Sequence, residues 1–256
     1  MMARIDFNCD MGESFGAYTM GNDIAILDFV NSANIACGFH AGDPPTIHKT
    51  VKAALAKGVA VGAHPGFPDL QGFGRRTIAM SASEAYDIVI YQIGAVAGFA
   101  QALGGRLTHV KAHGALYNMA AKDQRLANAI AKAVHDFDPR LIMFGLAGSA
   151  MIEAAEDVGL RAANEVFADR TYQDDGSLTP RSQPNAMIED TEQSVAQVKR
   201  MVTEGIVRSV DGNDVRVRAD TLCIHGDQPN ALAFAKRIRT ELERAGVEVK
   251  ALSTPS

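Results

Sequence analysis

The stretch LTHVKAH, residues 107–113, divides its side chains by parity. From Thr108 onward, Thr108, Val110 and Ala112 fall on one side, and His109, Lys111 and His113 on the other. Successive strand residues point to opposite faces. One face of this strand is therefore apolar, and the other carries two imidazoles and an ammonium. That division suits a strand in a closed barrel, where one parity packs under helices and the other faces the lumen.

Four other runs repeat the pattern. RIDFNCD (4–10) sets Ile5, Phe7 and Cys9 against Asp6, Asn8 and Asp10. NIACGFH (34–40) sets Ile35, Cys37 and Phe39 against Asn34, Ala36, Gly38 and His40. VAVGAH (59–64) sets Val59, Val61 and Ala63 against Ala60, Gly62 and His64, and TLCIHGD (221–227) sets Leu222 and Ile224 against Cys223, His225 and Asp227.

Further short apolar runs at 141–146 and 162–169, and a weaker one at 247–252, complete the set. Helical patterns at 22–32, 45–57, 82–103, 123–135, 148–158, 190–204 and 229–244 alternate with them. Asp43 before Pro44-Pro45 reads as a helix start, as does Ser81 with Glu84 three residues on. Strand then helix, repeated seven or eight times, predicts an α/β fold: a distorted TIM-like (β/α)7–8 barrel. An open doubly wound sheet is the alternative, and the GxGxxG that would favour it after the first strand is absent. No linker interrupts residues 1–256, so one barrel domain is expected. A long polar loop at 170–189 and a β-hairpin at 206–217, around Asp211-Gly212-Asn213, break the rhythm.

Composition narrows the function classes. A net charge of −5 argues against nucleic-acid partners and polybasic membrane contacts. No apolar run is long enough to span a bilayer, and the first residues lack the apolar core of a signal peptide. Cys9, Cys37 and Cys223 form no CxxC pair, which suits a reducing compartment, and a cytoplasmic protein is expected. Parity makes Cys9 and Cys37 small buried hydrophobes and turns only Cys223 inward.

The polar residues concentrate at the carboxyl ends of the strands, where barrel enzymes keep their active sites. Asp10, His40, His64, His113 and the pair His225 and Asp227 meet there. Imidazoles with carboxylates suit general acid–base chemistry or a divalent metal, for which Asp10, His40 and His64 are the first candidates. Neither HExxH, GxSxG nor a GxxxxGK[ST] nucleotide loop occurs. Arg75 and Arg76, in GFGRR (72–76), suit a substrate carboxylate or phosphate, with Arg170 in the long loop as a further anion contact. Lys111, pointing into a barrel, needs Asp10 or Glu165 as a partner.

Taken in order, IDFNCDMGESFG (5–16), ANIACGFHAGDP (33–44), GAHPGFPDLQGFGRR (62–76), VKAHGALYN (110–118), EVFADRTY (165–172) and CIHGD (223–227) resemble the LamB/YcsF family. Ala112 stands where that family more often has proline, on the helix side of its strand. The resemblance implies a barrel akin to sugar hydrolases and deacetylases. It also implies ATP-dependent opening of 5-oxo-L-proline to L-glutamate, with ATP as co-substrate, alongside 5-oxoprolinase subunits B and C. With it, the expected roles are water activation by Asp10 or His113, substrate binding or protonation by His40 and His64, and charge neutralisation by Lys111. Asn8, Glu13, Arg75, Arg76, Glu165, Arg170, His225 and Asp227 are the expected substrate contacts. Two competing readings remain: a metal-dependent deacetylase-type hydrolase acting alone, and a non-catalytic protein that captures a small carboxylate for its partners.

Overall fold

The computed structural model describes residues 3–225 and 231–253. In chain order the strands are β1 (Arg4–Met11), β2 (Ser32–Ala36), β3 (Ala60–His64), β4 (Leu107–Lys111), β5 (Ile142–Leu146), β6 (Arg161–Phe167), β7 (Ile206–Arg208), β8 (Asp214–Arg216), β9 (Thr221–His225) and β10 (Glu248–Val249). The helices are α1 (Asp23–Ile26), α2 (Pro44–Ala56), α3 (Ala82–Ala102), α4 (Gly114–Ala120), α5 (Gln124–Phe137), α6 (Ala150–Asp157), α7 (Thr191–Glu204) and α8 (Ala231–Arg244). β1 to β6 pair in sequence, all parallel, β9 follows β6, and β9 pairs back onto β1 to close a seven-stranded barrel. β10 lies beside the start of β1, and β7 with β8 forms a separate antiparallel hairpin.

The apolar parity of each strand is buried against helices. Ile5, Phe7, Cys9, Ile35, Val61 and Val110 lie under the helical layer with Val89, Ile93, Val96 and Ala100 of α3. Those α3 positions recur at helical spacing, which gives the helix one continuous apolar face. Capping chemistry sets where helices begin. The Asp43 carboxylate accepts from the Thr46 N–H at 2.9 Å, and Ser81 with Glu84 forms a reciprocal capping box ahead of α3. No described helix is long and apolar enough to cross a membrane.

Three local expectations differ from the structure. β2 stops at Ala36 because Gly38, at φ +99°, turns the chain, and its N–H donates to the Ala41 carbonyl. His40 thus stands in a turn and not in a strand. Residues 22–32 hold only the four-residue α1, since the Asn31 N–H is drawn onto the Phe7 carbonyl and Ser32 already pairs with β1. α4 is an unanticipated helix, too short for its periodicity to be read.

The lumen is polar and hydrogen-bonded across strands. Asn34 donates to the side-chain oxygens of Asn8 and Asp10, both at 2.8 Å, and Asn8 donates to Thr221 at 2.7 Å. His109 reaches Asn34 at 2.8 Å and stacks on Phe144 with centroids 4.3 Å apart. It fits because residue 62 is glycine: a Cβ there would lie 2.2 Å from His109 Nε2. Burial, followed by the Lys111 charge, depresses His109 to about 3, so the ring is neutral.

At the barrel floor, Asp6 accepts from Ser32 at 2.7 Å and Thr221 at 2.5 Å. Burial outweighs these bonds and raises its carboxyl to about 6. An unfolded aspartate titrates near ~3.9. Between these values the folded protein holds a proton that the unfolded chain has lost, so stability falls as pH rises and the full penalty is present above about pH 6. The shift corresponds to about 3 kcal/mol. Unfolding free energies of the wild type and Asp6→Asn, measured from about pH 4 to about pH 8, should diverge by that amount to the disadvantage of the wild type. Parallel curves would show that Asp6 ionises normally.

Candidate active site

Each rim residue is carried by the end of a strand or by the turn that follows. Asp10 lies near the end of β1 and Glu13 two residues beyond it; His64 ends β3; His113 is the N-cap of α4. His40 is held by the turn after β2. These groups converge at one barrel end beside a cavity of about 510 Å³ whose lining includes Asp10, Glu13, His64, Lys111, His113 and Tyr117, and the cations Arg75, Lys122, Arg170 and Arg181.

The imidazoles form one compact unit. His64 Nδ1 lies 2.8 Å from the Lys111 carbonyl, and His113 Nε2 lies 2.8 Å from the Phe73 carbonyl. A carbonyl only accepts, so those two nitrogens carry the protons. His64 Nε2 and His113 Nδ1 then face each other at 3.0 Å. Asp10 Oδ2 is 3.2 Å from His64 Nε2, and Glu13 Oε1 is 3.9 Å from His113 Nδ1. His40 stacks on His113 at 3.7 Å with the planes 4° apart. Burial holds both His40 and His113 well below the usual histidine range, and the neighbouring imidazoles add to the effect. The nitrogen and oxygen donors of Glu13, His40, His64 and His113 all lie within 4.8 Å of one another, so this cluster has the composition and spacing to hold a metal ion.

Beneath the imidazoles, Lys111 joins three acceptors. Its ammonium lies 2.9 Å from Asp10 Oδ1, 2.9 Å from Glu165 Oε1 and 3.0 Å from Cys223 Sγ. Burial opposes the charge, but Asp10, Cys223 and Glu165 overcome it and hold Lys111 well above its ordinary value. Burial also pushes the Cys223 thiol up, so that sulfur is neutral and the two carboxylates stabilise the ammonium. Glu165 is closed on every side: Asn8 donates to Oε1 at 3.1 Å and the Tyr117 hydroxyl to Oε2 at 2.7 Å.

The rim residues expected from parity are thus placed at two depths. Asp10, Glu13, His64, Lys111, His113, Arg75 and Arg170 line the cavity. Asn8, His40 and Glu165 are buried behind it, away from any ligand within it. Arg76 is drawn aside onto the buried Asp69, with Nε at 2.9 Å from Oδ1, and does not line the cavity. Arg170 donates to the Ala186 and Thr179 carbonyls at 3.2 and 2.5 Å, and burial lowers it to about 10, leaving it charged. Asp227 and the side chain of His225 lie outside the described residues. The lysine's three acceptors also change what it does. With each N–H directed at a protein acceptor, Lys111 positions Asp10 and Glu165 more directly than it meets a substrate.

Parity turns Asn34 inward without marking it as a site residue, and it misses Phe73 and the close packing around His40. A Cβ on Gly66 would lie 2.7 Å from His40 Nδ1, and one on Gly74 would lie 2.8 Å from His40 Cβ and 2.9 Å from His113 Cδ2. These two glycines make room for His40. Phe73 has φ +55°, an unusual conformation for a residue with a side chain, and offers its carbonyl to His113. The GFG sequence, with glycines at 72 and 74, is the available signal.

The sequence profile of the LamB/YcsF family matches residues 5–256. A Bordetella pertussis protein, named as the A component of 5-oxoprolinase, is 65% identical over 251 residues, 98% of this chain and 100% of its own length. A Bacillus subtilis protein of the same name is 62% identical over 252 residues, 98% of either chain. The crystal structure of a lactam utilization protein from Thermus thermophilus superposes with a TM-score of 0.91 at 52% identity, covering 97% of this chain and 100% of that one.

Proposed function

The chain belongs to the LamB/YcsF family, and on that premise we propose that it is the lactam-opening component of an ATP-dependent 5-oxoprolinase, converting 5-oxo-L-proline to L-glutamate. The observation that carries this reading is the mixed lining of one cavity. Its lining includes Asp10, His64 and His113 together with the cations Arg75, Arg170, Arg181 and Lys122. A 5-oxoproline molecule has matching poles, an anionic carboxylate and a lactam carbonyl. A cationic group of the lining would hold the carboxylate and leave the lactam carbon to Asp10.

Asp10 is the better base of the two expected. Its Oδ1 is fixed by Lys111 and Asn34, both within 2.9 Å, and it lines the cavity. The ring nitrogens of His113 are instead directed at His64 and at the Phe73 carbonyl. Water bonds to the lactam carbon as its proton passes to Asp10. That proton then goes to the ring nitrogen as the C–N bond breaks, which opens the ring.

An unstrained lactam is a poor electrophile, and phosphorylation of its oxygen would activate it; C–N cleavage then leaves an acyl phosphate, which a second water hydrolyses to L-glutamate and inorganic phosphate. The sequence carries no GxxxxGK[ST] loop, so subunits B and C are assigned the ATP-dependent step. Three buried, unpaired cysteines fit the cytoplasm as the place where this assembly works.

Reconstitution tests the division of labour. The chain with B and C, ATP and 5-oxoproline should release glutamate, and each omission should stop it. Glutamate release or ATP turnover by this chain alone would overturn the assignment in favour of a self-sufficient hydrolase.

A further inference from the structure

We propose that Glu13, His40, His64 and His113 bind one divalent transition-metal ion of the imidazole-preferring class, such as Zn²⁺ or Co²⁺. The inference rests on this chain's own side chains and does not depend on the lactam reading.

The first observation is that two ring nitrogens and a carboxylate converge on one point. The Lys111 and Phe73 carbonyls fix the protons of His64 and His113 on the outward nitrogens. What converges inside is His64 Nε2, His113 Nδ1 and the Glu13 carboxylate, all of them acceptors in the neutral-ring state. Outer-shell carbonyls that set a ring's tautomer and orientation are a regular feature of metal-binding histidines.

The second observation is His40. It is fully buried, and neither ring nitrogen has a hydrogen-bond partner among the described residues. Its Nε2 lies 4.0 Å from Glu13 Oε1, on the side of the cluster. A proton shared between His64 and His113 would satisfy those two rings, but it would leave His40 unsatisfied. A cation at the centre satisfies all three imidazoles and the carboxylate together. Buried polar groups without partners are rare enough that each requires an explanation of this kind.

The third observation is the rigidity of the cradle. The backbone at Gly66 and Gly74 closes against His40 and His113 at distances that leave no space for a side chain. Donors around a tetrahedral ion with bonds of ~2.1 Å lie roughly 3.4 Å apart. The spacing seen here runs from 3.0 Å between two of the imidazoles to at most 4.8 Å across the cluster. Three imidazoles and one carboxylate suit zinc, cobalt or nickel, whereas magnesium favours an all-oxygen shell.

The test uses the full chain stripped with a chelator. Zn²⁺ and Co²⁺ are added separately, with stoichiometry measured by calorimetry and, for Co²⁺, by ligand-field absorption. One ion per chain should bind, with a cobalt spectrum showing nitrogen ligation, and millimolar Mg²⁺ should not displace it. His40→Ala and Glu13→Gln should each weaken binding at least about tenfold. If His40→Ala fails to fold, as judged by circular dichroism, the partly exposed Glu13→Gln decides. A folded, stripped protein that takes up no stoichiometric ion, displacement by Mg²⁺, or undiminished binding by Glu13→Gln would each overturn the site. None of these readouts involves substrate turnover, so a failure of the lactam reading would leave them intact.

Discussion

Replacing Lys111 by methionine should lower the unfolding free energy by about 3–5 kcal/mol, a large part of the stability of an ordinary domain. The lysine is 2% exposed and lies between two carboxylates, Asp10 and Glu165, at 2.9 Å from each. Methionine fills the same space without charge. The loss is therefore that of the cation and not that of a cavity. What remains is Glu165, fully buried, facing Asp10 across the lumen with no positive charge between them. The double variant Lys111→Met/Glu165→Gln should recover more than half of the loss. Its glutamine still accepts from Asn8 and can donate to the Tyr117 hydroxyl, so the hydrogen bonds at that position survive. Chemical denaturation of the wild type, both single variants and the double variant gives the coupling directly. A Lys111→Met protein within about 1 kcal/mol of wild type, or a double variant no more stable than the single, would show that the lysine does not hold these carboxylates together.

The same lysine shows how far the sequence can be read. Its inward direction and its need for Asp10 or Glu165 follow from parity in LTHVKAH and from the cost of a buried charge. The barrel follows equally, because period-two alternation, helix caps and repeated strand–helix spacing all agree on one architecture. Parity stops working where strands stop. Counting from Asn34 puts His40 on the lumen side of a strand, yet the chain leaves the sheet after Ala36 and a turn delivers the ring to the cluster. Glu13 lies beyond β1, so its meeting with His40 and His113 is invisible to alternation and emerges only when the loops are packed. Arg76 shows the opposite error. A guanidinium on a glycine-rich rim loop reads as a substrate contact, but Asp69, seven residues earlier, captures it. Asn8 and Glu165 have the expected inward direction and the wrong depth, since parity assigns a side and says nothing of which layer the cavity reaches.

Depth is what singles out Asp10 for the last prediction. Asp10→Asn should reduce glutamate formation by the reconstituted complex by about 10²–10⁴-fold, the usual contribution of a positioned general base, while leaving fold and assembly in place. The substitution is nearly isosteric. The asparagine oxygen can still accept from Asn34 and Lys111, which now lie at 2.8 and 2.9 Å from Oδ1. The new amide group would face His64 Nε2, 3.2 Å away, whose lone pair can accept from it. Only the ability to take a proton from water is removed. If phosphorylation of the lactam occurs in the partners, ATP consumption by the Asp10→Asn complex should outlast glutamate release, because activation continues while ring opening stalls. Loss of both in parallel, with normal assembly, would move the role of Asp10 upstream of water attack. Wild-type rates of glutamate formation would remove it from the chemistry altogether and return the choice of base to His113.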